Sequence, residues 1–206
     1  FRLSLRTNRK RRNPEMQAVS PLRYPGGKQV LTNVLRHLIS LNGLQSGLYA
    51  EPYAGGAGAA LSLLFGEHVE RIAINDADPC IYAVWRSILS NPGPFIAKIR
   101  RATLTIAAWK RHRSIYRSPR GRSALALGFS TFYLNRCNRS GIIARGGPIG
   151  GHDQRGEWGI DARFNRNTLI ERIERIYDYR SRISATNLDA LEFLRNISRK
   201  GGSRAF

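Results

Sequence analysis

The chain has 206 residues, 42% of them hydrophobic and 9% aromatic, so it can bury one core and a small second lobe. Its 34 Lys and Arg against 14 Asp and Glu give a net charge of +20, which predicts a polyanionic partner, most simply nucleic acid. No apolar run reaches the length of a membrane span, two cysteines are too few for a disulfide framework, and no Cys/His/carboxylate spacing suggests a metal. We expect a soluble, cytoplasmic protein.

The first 15 residues carry six basic side chains, one acid and little that could pack. They predict either a disordered basic arm or sequence translated from upstream of a start at Met16. We assign residues 1–20 to this arm and place the start of the ordered domain at Pro21.

The next segments alternate between strands and helices. Apolar residues at helical spacing predict a helix over 29–41, and strands are predicted at 47–53 and 71–75. A helix over 59–65 follows the first strand, and another begins at Pro79 after the second. This order predicts α/β architecture, with parallel strands joined by right-handed crossovers.

The composition changes at Asn91-Pro-Gly-Pro. Residues 100–122 hold eight basic residues and no acid, which suits a surface that follows phosphates. Residues 125–135 are predicted to be helical, and the glycine-rich residues 141–159 to form a loop or hairpin. We predict a largely helical insert over residues 91–165.

Helical periodicity returns over 168–179, where Thr168 and Glu171 have the spacing of a capping box. A weak strand signal follows at 181–186, and Asp189 can cap a last helix. Residues 21–90 and 166–206 are therefore predicted to form one α/β lobe around the insert.

Residues 51–58, Glu-Pro-Tyr-Ala-Gly-Gly-Ala-Gly, predict a strand-to-helix turn where backbone can approach a ligand closely. The third glycine of a dinucleotide fingerprint is missing, so the glycines alone leave ligand binding and tight packing both open. A phosphate site would not favour a carboxylate at Glu51. A cationic, phosphate-free ligand such as S-adenosylmethionine would tolerate or use it.

Asp76 ends the second predicted strand, about twenty residues past the glycine turn, where a ribose-binding acid belongs in a doubly wound sheet. The alternative is a cap for the helix at Pro79, but Asp78 is well placed for that role. We therefore favour Asp76 as a ligand. Lys28 follows two glycines but fails the P-loop template, and by itself it indicates only a solvated lysine that opens a helix.

Five segments in order resemble the Dam-type family of DNA adenine-N6 methyltransferases: Tyr24–Lys28, Ala50–Ser62, Ile74–Asp76, Phe132–Arg136 with Asn138 and Gly141, and Arg163–Asn165 with Asn187–Phe193. The resemblance covers nearly the whole chain from Pro21. It implies a Rossmann-like sheet of the kind that binds S-adenosylmethionine, with the insert as the target-recognition region.

By the same resemblance, eight residues would hold the cofactor: Tyr24, Lys28, Glu51, Pro52, Gly55, Gly56, Asp76, and Asp189 near its adenine. Contacts to double-stranded DNA around a displaced base would come from Asn135, Arg136, Asn138 and Arg139. Arg111 and Arg113 would hold phosphates. A functional link to a restriction endonuclease or a phage is compatible with such a family.

In that family an Asp-Pro-Pro-Tyr turn supplies the acceptors for the adenine amine, and the 206 residues contain no such tetrapeptide. We expect a C-terminally truncated product of this family, inactive by itself, since residues 201–206 stand where the next strand would begin. One alternative is a basic nucleic-acid-binding protein without catalysis. Another is a nicotinamide-dependent oxidoreductase, which the incomplete glycine fingerprint and the net charge disfavour.

Overall fold

The computed structural model describes residues 18–24 and 27–200, so the predictions for residues 1–17 and 201–206 lie outside the described residues. A short 3-10 turn at Lys28–Leu31 leads into the first helix. The helices and strands are α1 (Thr32–Leu41), β1 (Leu48–Glu51), α2 (Gly58–Phe65), β2 (Arg71–Asn75), α3 (Pro79–Ser90), α4 (Pro92–Arg101), α5 (Ile106–Arg117), α6 (Ala124–Cys137), α7 (Arg166–Asp178), β3 (Ile183–Thr186) and α8 (Ala190–Lys200).

The described strands form one parallel sheet in the order β1-β2-β3, which confirms the predicted α/β architecture. Leu48 of β1 pairs with Arg71 of β2, and Ile72 of β2 pairs with Ile183 of β3. The inner residues of β2 are buried on both faces, as is usual where helices cover a parallel sheet. Because the strands are parallel, the segments that follow them meet at one edge of the sheet.

Asn75, the last residue of β2, joins these segments and is 1% exposed. Its amide group donates to the Pro52 carbonyl at 3.1 Å and to the Leu188 carbonyl at 2.9 Å. Its side-chain oxygen accepts from the Thr186 hydroxyl and from the Leu188 amide. One buried amide therefore fixes the carboxyl ends of all three strands, because each of its bonds would otherwise leave a buried polar group unpaired.

Helix α6 of the insert packs directly against α3 of the α/β lobe. A Cβ added at Gly128 of α6 would lie 2.5 Å from the Ala83 carbonyl oxygen of α3, so only glycine allows this approach. Edge-on ring contacts link Phe95 to Phe129 and to Phe132 in the same layer. A single cluster of buried apolar residues runs from the sheet into the insert.

Two helix starts differ from the sequence expectation. Helix α7 begins at Arg166, because the Asn165 side chain caps it by accepting from the Thr168 amide at 3.1 Å; the Thr168 capping box does not form its start. The Asn91-Pro-Gly-Pro break opens α4 directly, with Asn91 as its cap. The glycine-rich stretch 141–159 is irregular, and a single antiparallel bridge pairs Asn138 with Pro148.

Candidate active site

The glycine turn after β1 holds two residues in the left-handed region, Gly55 and Ala57, each with a φ of 48°. For Ala57 this conformation costs on the order of 1–3 kcal/mol, and the surrounding contacts must hold it. The φ of Gly55 favours glycine, and a Cβ there would lie 2.8–2.9 Å from the Tyr24 ring, which would have to move aside. The Trp85 indole N–H donates to the Gly55 carbonyl at 3.0 Å. The turn is therefore a tightly held backbone loop.

Asp76 braces this turn from the end of β2. Its Oδ2 accepts from the Gly55 amide at 2.8 Å, and its Oδ1 accepts from the Asp78 amide at 3.0 Å. Asp78 caps α3 by accepting from the Cys80 amide, as the sequence suggested. A carboxylate has about four acceptor positions, so Asp76 keeps capacity for a further donor such as a sugar hydroxyl.

Glu51 is 2% exposed and lies behind the turn. Its Oε2 accepts from the Ala60 amide in the first turn of α2 at 3.2 Å, where a negative charge is favoured. The Lys28 ammonium lies 3.0 Å from Glu51 Oε1 and donates to the Tyr53 carbonyl at 2.7 Å. Burial nevertheless raises the pKa of Glu51, although Lys28 and the Ala60 amide oppose that rise.

A cavity of about 810 Å³ opens beside the glycine turn. Asp76 lines it together with Gly56 and Gly58, and the rings of Tyr24 and Tyr53, 51% and 68% exposed, stand at its wall. The volume lies within the usual range for small-molecule sites. Exposed aromatic rings next to a carboxylate suit a ligand that carries both a flat ring and hydroxyl groups.

Of the eight residues predicted to hold the cofactor, Tyr24, Lys28, Gly56 and Asp76 line this cavity together. Glu51, Pro52 and Gly55 support the turn and are not among the lining residues. Asp189 is exposed and caps α8, accepting from the Leu191 amide at 2.9 Å. The lining residues that sequence reasoning did not single out include Ser20, Arg23, Tyr53, Ser140 and Arg172.

Asn135 and Asn138 do not face solvent, because both are fully buried. Asn135 accepts from the Arg23 amide and donates to the carbonyls of Arg23 and Gly141, while Asn138 accepts from the Trp109 indole at 2.6 Å and donates to the Ile142 carbonyl at 2.7 Å. The expected direct DNA contacts by these two amides do not fit these bonds. Asn135 instead holds the insert against the segment before Tyr24, and Asn138 ties α5 to the loop that follows α6.

Three arginines also line the same cavity: Arg23, Arg136 and Arg172. Arg136 is 8% exposed and donates through Nε and Nη2 to the Arg163 carbonyl. Burial, followed by repulsion from neighbouring arginines, lowers the pKa of Arg136 to about 9. Burial also lowers the pKa of Arg23 and of Arg172.

A second groove, of about 460 Å³, runs along α5 and is lined by Lys110, Arg113, Arg117, Trp109 and His152, with two serines. The Arg113 guanidinium lies 4.8 Å from the Trp109 ring centroid, which holds the cation over an aromatic face. Arg111 and Arg139 are exposed. No carboxylate lines this groove, so its field is positive throughout and suits phosphate contacts.

None of the helices in the described residues has the length and apolar character needed to cross a bilayer. In that same part of the chain, no three His, Cys, Asp or Glu side chains gather closely enough to hold a metal ion.

A parallel sheet that ends in a strained glycine turn, with an acid after the next strand and a cavity between them, forms the ligand crevice of a Rossmann-like fold. The sequence matches the family described as D12 class N6 adenine-specific DNA methyltransferase over residues 24–198. The chain therefore belongs to that family, which confirms the resemblance read from its motifs. No curated protein matches the chain at a significant level of similarity.

Proposed function

We propose that this chain binds S-adenosylmethionine in the glycine-turn cavity and belongs to a site-specific DNA adenine-N6 methyltransferase. The observation that carries the proposal is Asp76, whose carboxylate lines a cavity of about 810 Å³ beside Gly56 and retains free acceptor capacity. A carboxylate that accepts hydrogen bonds fits the diol of a nucleoside, and the Tyr24 and Tyr53 rings can flank its base.

Each proposed cofactor residue has a physical role. Asp76 would accept from the ribose hydroxyls, and the backbone at Gly56 would lie against the ligand. Lys28 and Glu51 would act behind the turn by fixing its backbone. When bound, the cofactor would supply an electrophilic methyl group on a sulfonium. Asp189 near the adenine remains a prediction, since its carboxylate caps α8.

The DNA would lie against the insert, residues 91–165. Support comes from the groove of α5, where three cations and an aromatic ring occur without an acid. Among the residues of the sequence prediction, Arg111, Arg113 and Arg139 can reach phosphates at the surface of the insert. Adenine must leave the duplex before its amine can reach a methyl donor.

The cofactor test is calorimetry with S-adenosylhomocysteine and, as comparator, NAD. We expect saturable binding of the first and none of the second. Asp76→Asn should weaken binding at least tenfold, because a charged hydrogen bond contributes roughly 1.5–3 kcal/mol. Asp178→Asn is the matched control, since Asp178 is exposed on α7. Equal binding by the two variants, or binding of NAD alone, would refute the proposal.

A second candidate is a nucleic-acid-binding protein without catalysis. It is favoured by the net charge of +20. We expect the purified 206-residue chain to transfer no labelled methyl group to adenine-containing duplex DNA. Transfer by this chain would show that other residues supply the acceptor for the amine. Salt-sensitive DNA binding without binding of S-adenosylhomocysteine would favour the second candidate over the first.

A further inference from the structure

The arginine cluster, defined as Arg23, Arg136 and Arg172, lies where the segment before Tyr24 meets the insert and α7. Arg23 donates through Nη1 to the Asn138 carbonyl at 3.3 Å, and Arg172 donates through Nη1 to the Ser20 carbonyl at 3.1 Å. All three side chains line one cavity. Backbone carbonyls therefore orient the cluster without neutralising its charge.

No carboxylate of residues 18–24 and 27–200 lies within 4 Å of these three guanidinium groups, since the ion pairs found there involve only Lys28, Arg71 and Arg182. Asp76 lines the same cavity but its recorded bonds go to the backbone. The neighbouring Glu171 raises the pKa of Arg172, but burial has the larger effect and lowers it. Removing charged groups from water without a partner is costly, so the cluster favours a bound anion.

The charge of the ligands decides which anion fits. S-adenosylmethionine carries a sulfonium and an ammonium against one carboxylate, so three cations would repel it on balance. A DNA backbone phosphate is a pure anion, and guanidinium forks match its oxygens with paired hydrogen bonds. Arg136 and Ser140 also belong to the insert, on which the proposed DNA surface lies.

We propose that the arginine cluster binds a backbone phosphate of the DNA substrate, so that the polyanion closes the cavity in which the cofactor lies. This inference rests on the proposed function. It assigns the phosphate to a site apart from the α5 groove, because the two cavities share no lining residue. The arginine cluster and the α5 groove would then hold different phosphates of the duplex.

The test compares Arg172→Gln with Arg175→Gln, which removes the same charge from an exposed position on the same helix. Binding of a labelled duplex is measured by fluorescence anisotropy at several KCl concentrations with saturating S-adenosylhomocysteine. We expect Arg172→Gln to weaken binding about tenfold and to reduce the salt slope by about one. Arg175→Gln should stay within about twofold of the wild type.

Calorimetry separates the possible occupants. Arg172→Gln should bind S-adenosylhomocysteine like the wild type, which shows that the cofactor part of the site is intact. Weaker binding of S-adenosylhomocysteine with unchanged binding of methylthioadenosine, which lacks the carboxylate, would assign the cluster to the cofactor and overturn the inference. A thermal shift with inorganic phosphate that Arg172→Gln abolishes, without any change in DNA affinity, would also overturn it.

If Arg172→Gln does not fold, Arg23→Gln replaces it, because the Arg23 side chain donates to a different carbonyl. Arg172→Lys should retain most of the salt slope, since lysine keeps the positive charge but lacks the paired hydrogen-bond donors of the guanidinium group. Failure of the wild type to bind S-adenosylhomocysteine or DNA would count against the proposed function itself. Equal DNA affinity of Arg172→Gln, Arg175→Gln and the wild type would count against the cluster alone.

Discussion

At the scale of single residues, Glu51 shows how a buried carboxylate can be held at a cost in free energy. Burial raises its pKa although Lys28 and the Ala60 amide favour the charged form. The folded state thus binds the proton of Glu51 more tightly than the unfolded chain does. As pH rises from about 4.5 through the raised pKa, this group makes the free energy of unfolding fall.

We predict that Glu51→Gln removes this pH dependence. Relative to the variant, the wild type should lose stability as pH rises from about 4.5 to 7.5, because only the wild type must ionise a buried group. Urea unfolding at a series of pH values measures the difference. Glu174→Gln, at an exposed position of α7, is the control and should show no such trend. If the wild type instead becomes more stable relative to Glu51→Gln as pH rises, the attraction of Lys28 for the ionised carboxylate outweighs the effect of burial.

Some residue roles follow from the sequence and others do not. Asp76 and Asp78 could be separated in advance, because the second is nearer to the helix start, and the bonds agree. The burial of Asn135 and Asn138 could not be predicted, because the local sequence around an amide is the same whether its side chain faces DNA or the protein interior. Arg172 gave no signal at all, since a basic residue in an amphipathic helix normally indicates a solvated face.

At the scale of elements, the close contact between α3 and α6 depends on the absence of a side chain at Gly128. We predict that Gly128→Ala destabilises the protein by about 1–3 kcal/mol or more, because its Cβ would meet rigid backbone at Ala83. Gly93→Ala in α4 is the control: its Cβ would meet only the Asn91 side chain, at 3.4 Å, so helix propensity should make it neutral or stabilising. Chemical denaturation measures both, and equal stability of the two variants would contradict this account.

Helices with an apolar stripe were predictable, and the structure confirms them at α1, α3 and α7. The apolar pattern did not predict α5 as a separate helix. Its only buried residues are Ala108 and Trp109, and most of its other residues are basic or polar. The start of α7 was placed late because Asn165, outside the assumed capping box, takes the cap. The weak strand signal at 181–186 became β3 through pairing with β2, which local sequence cannot reveal.

At the scale of the whole molecule, a net charge of +20 on 206 residues makes the folded state repel itself. We predict that the melting temperature rises as KCl is raised from low millimolar to about 0.15 M, where the screening length falls to about 8 Å. Scanning calorimetry without DNA measures this. A melting temperature that stays level or falls would mean that the cations lie too far apart for their mutual repulsion to destabilise the folded state.

The apolar cluster that joins the sheet to the insert has a consequence for how this protein can be divided. Phe95 and Phe132 of the insert belong to the same buried cluster as Ile72 and Ile74 of the central strand. Residues 91–165 are therefore no detachable module. Removing residues 91–165 would expose the apolar side chains of the α/β lobe that pack against them. We therefore expect an exchange of surface residues between relatives to preserve the fold more readily than an exchange of the whole segment.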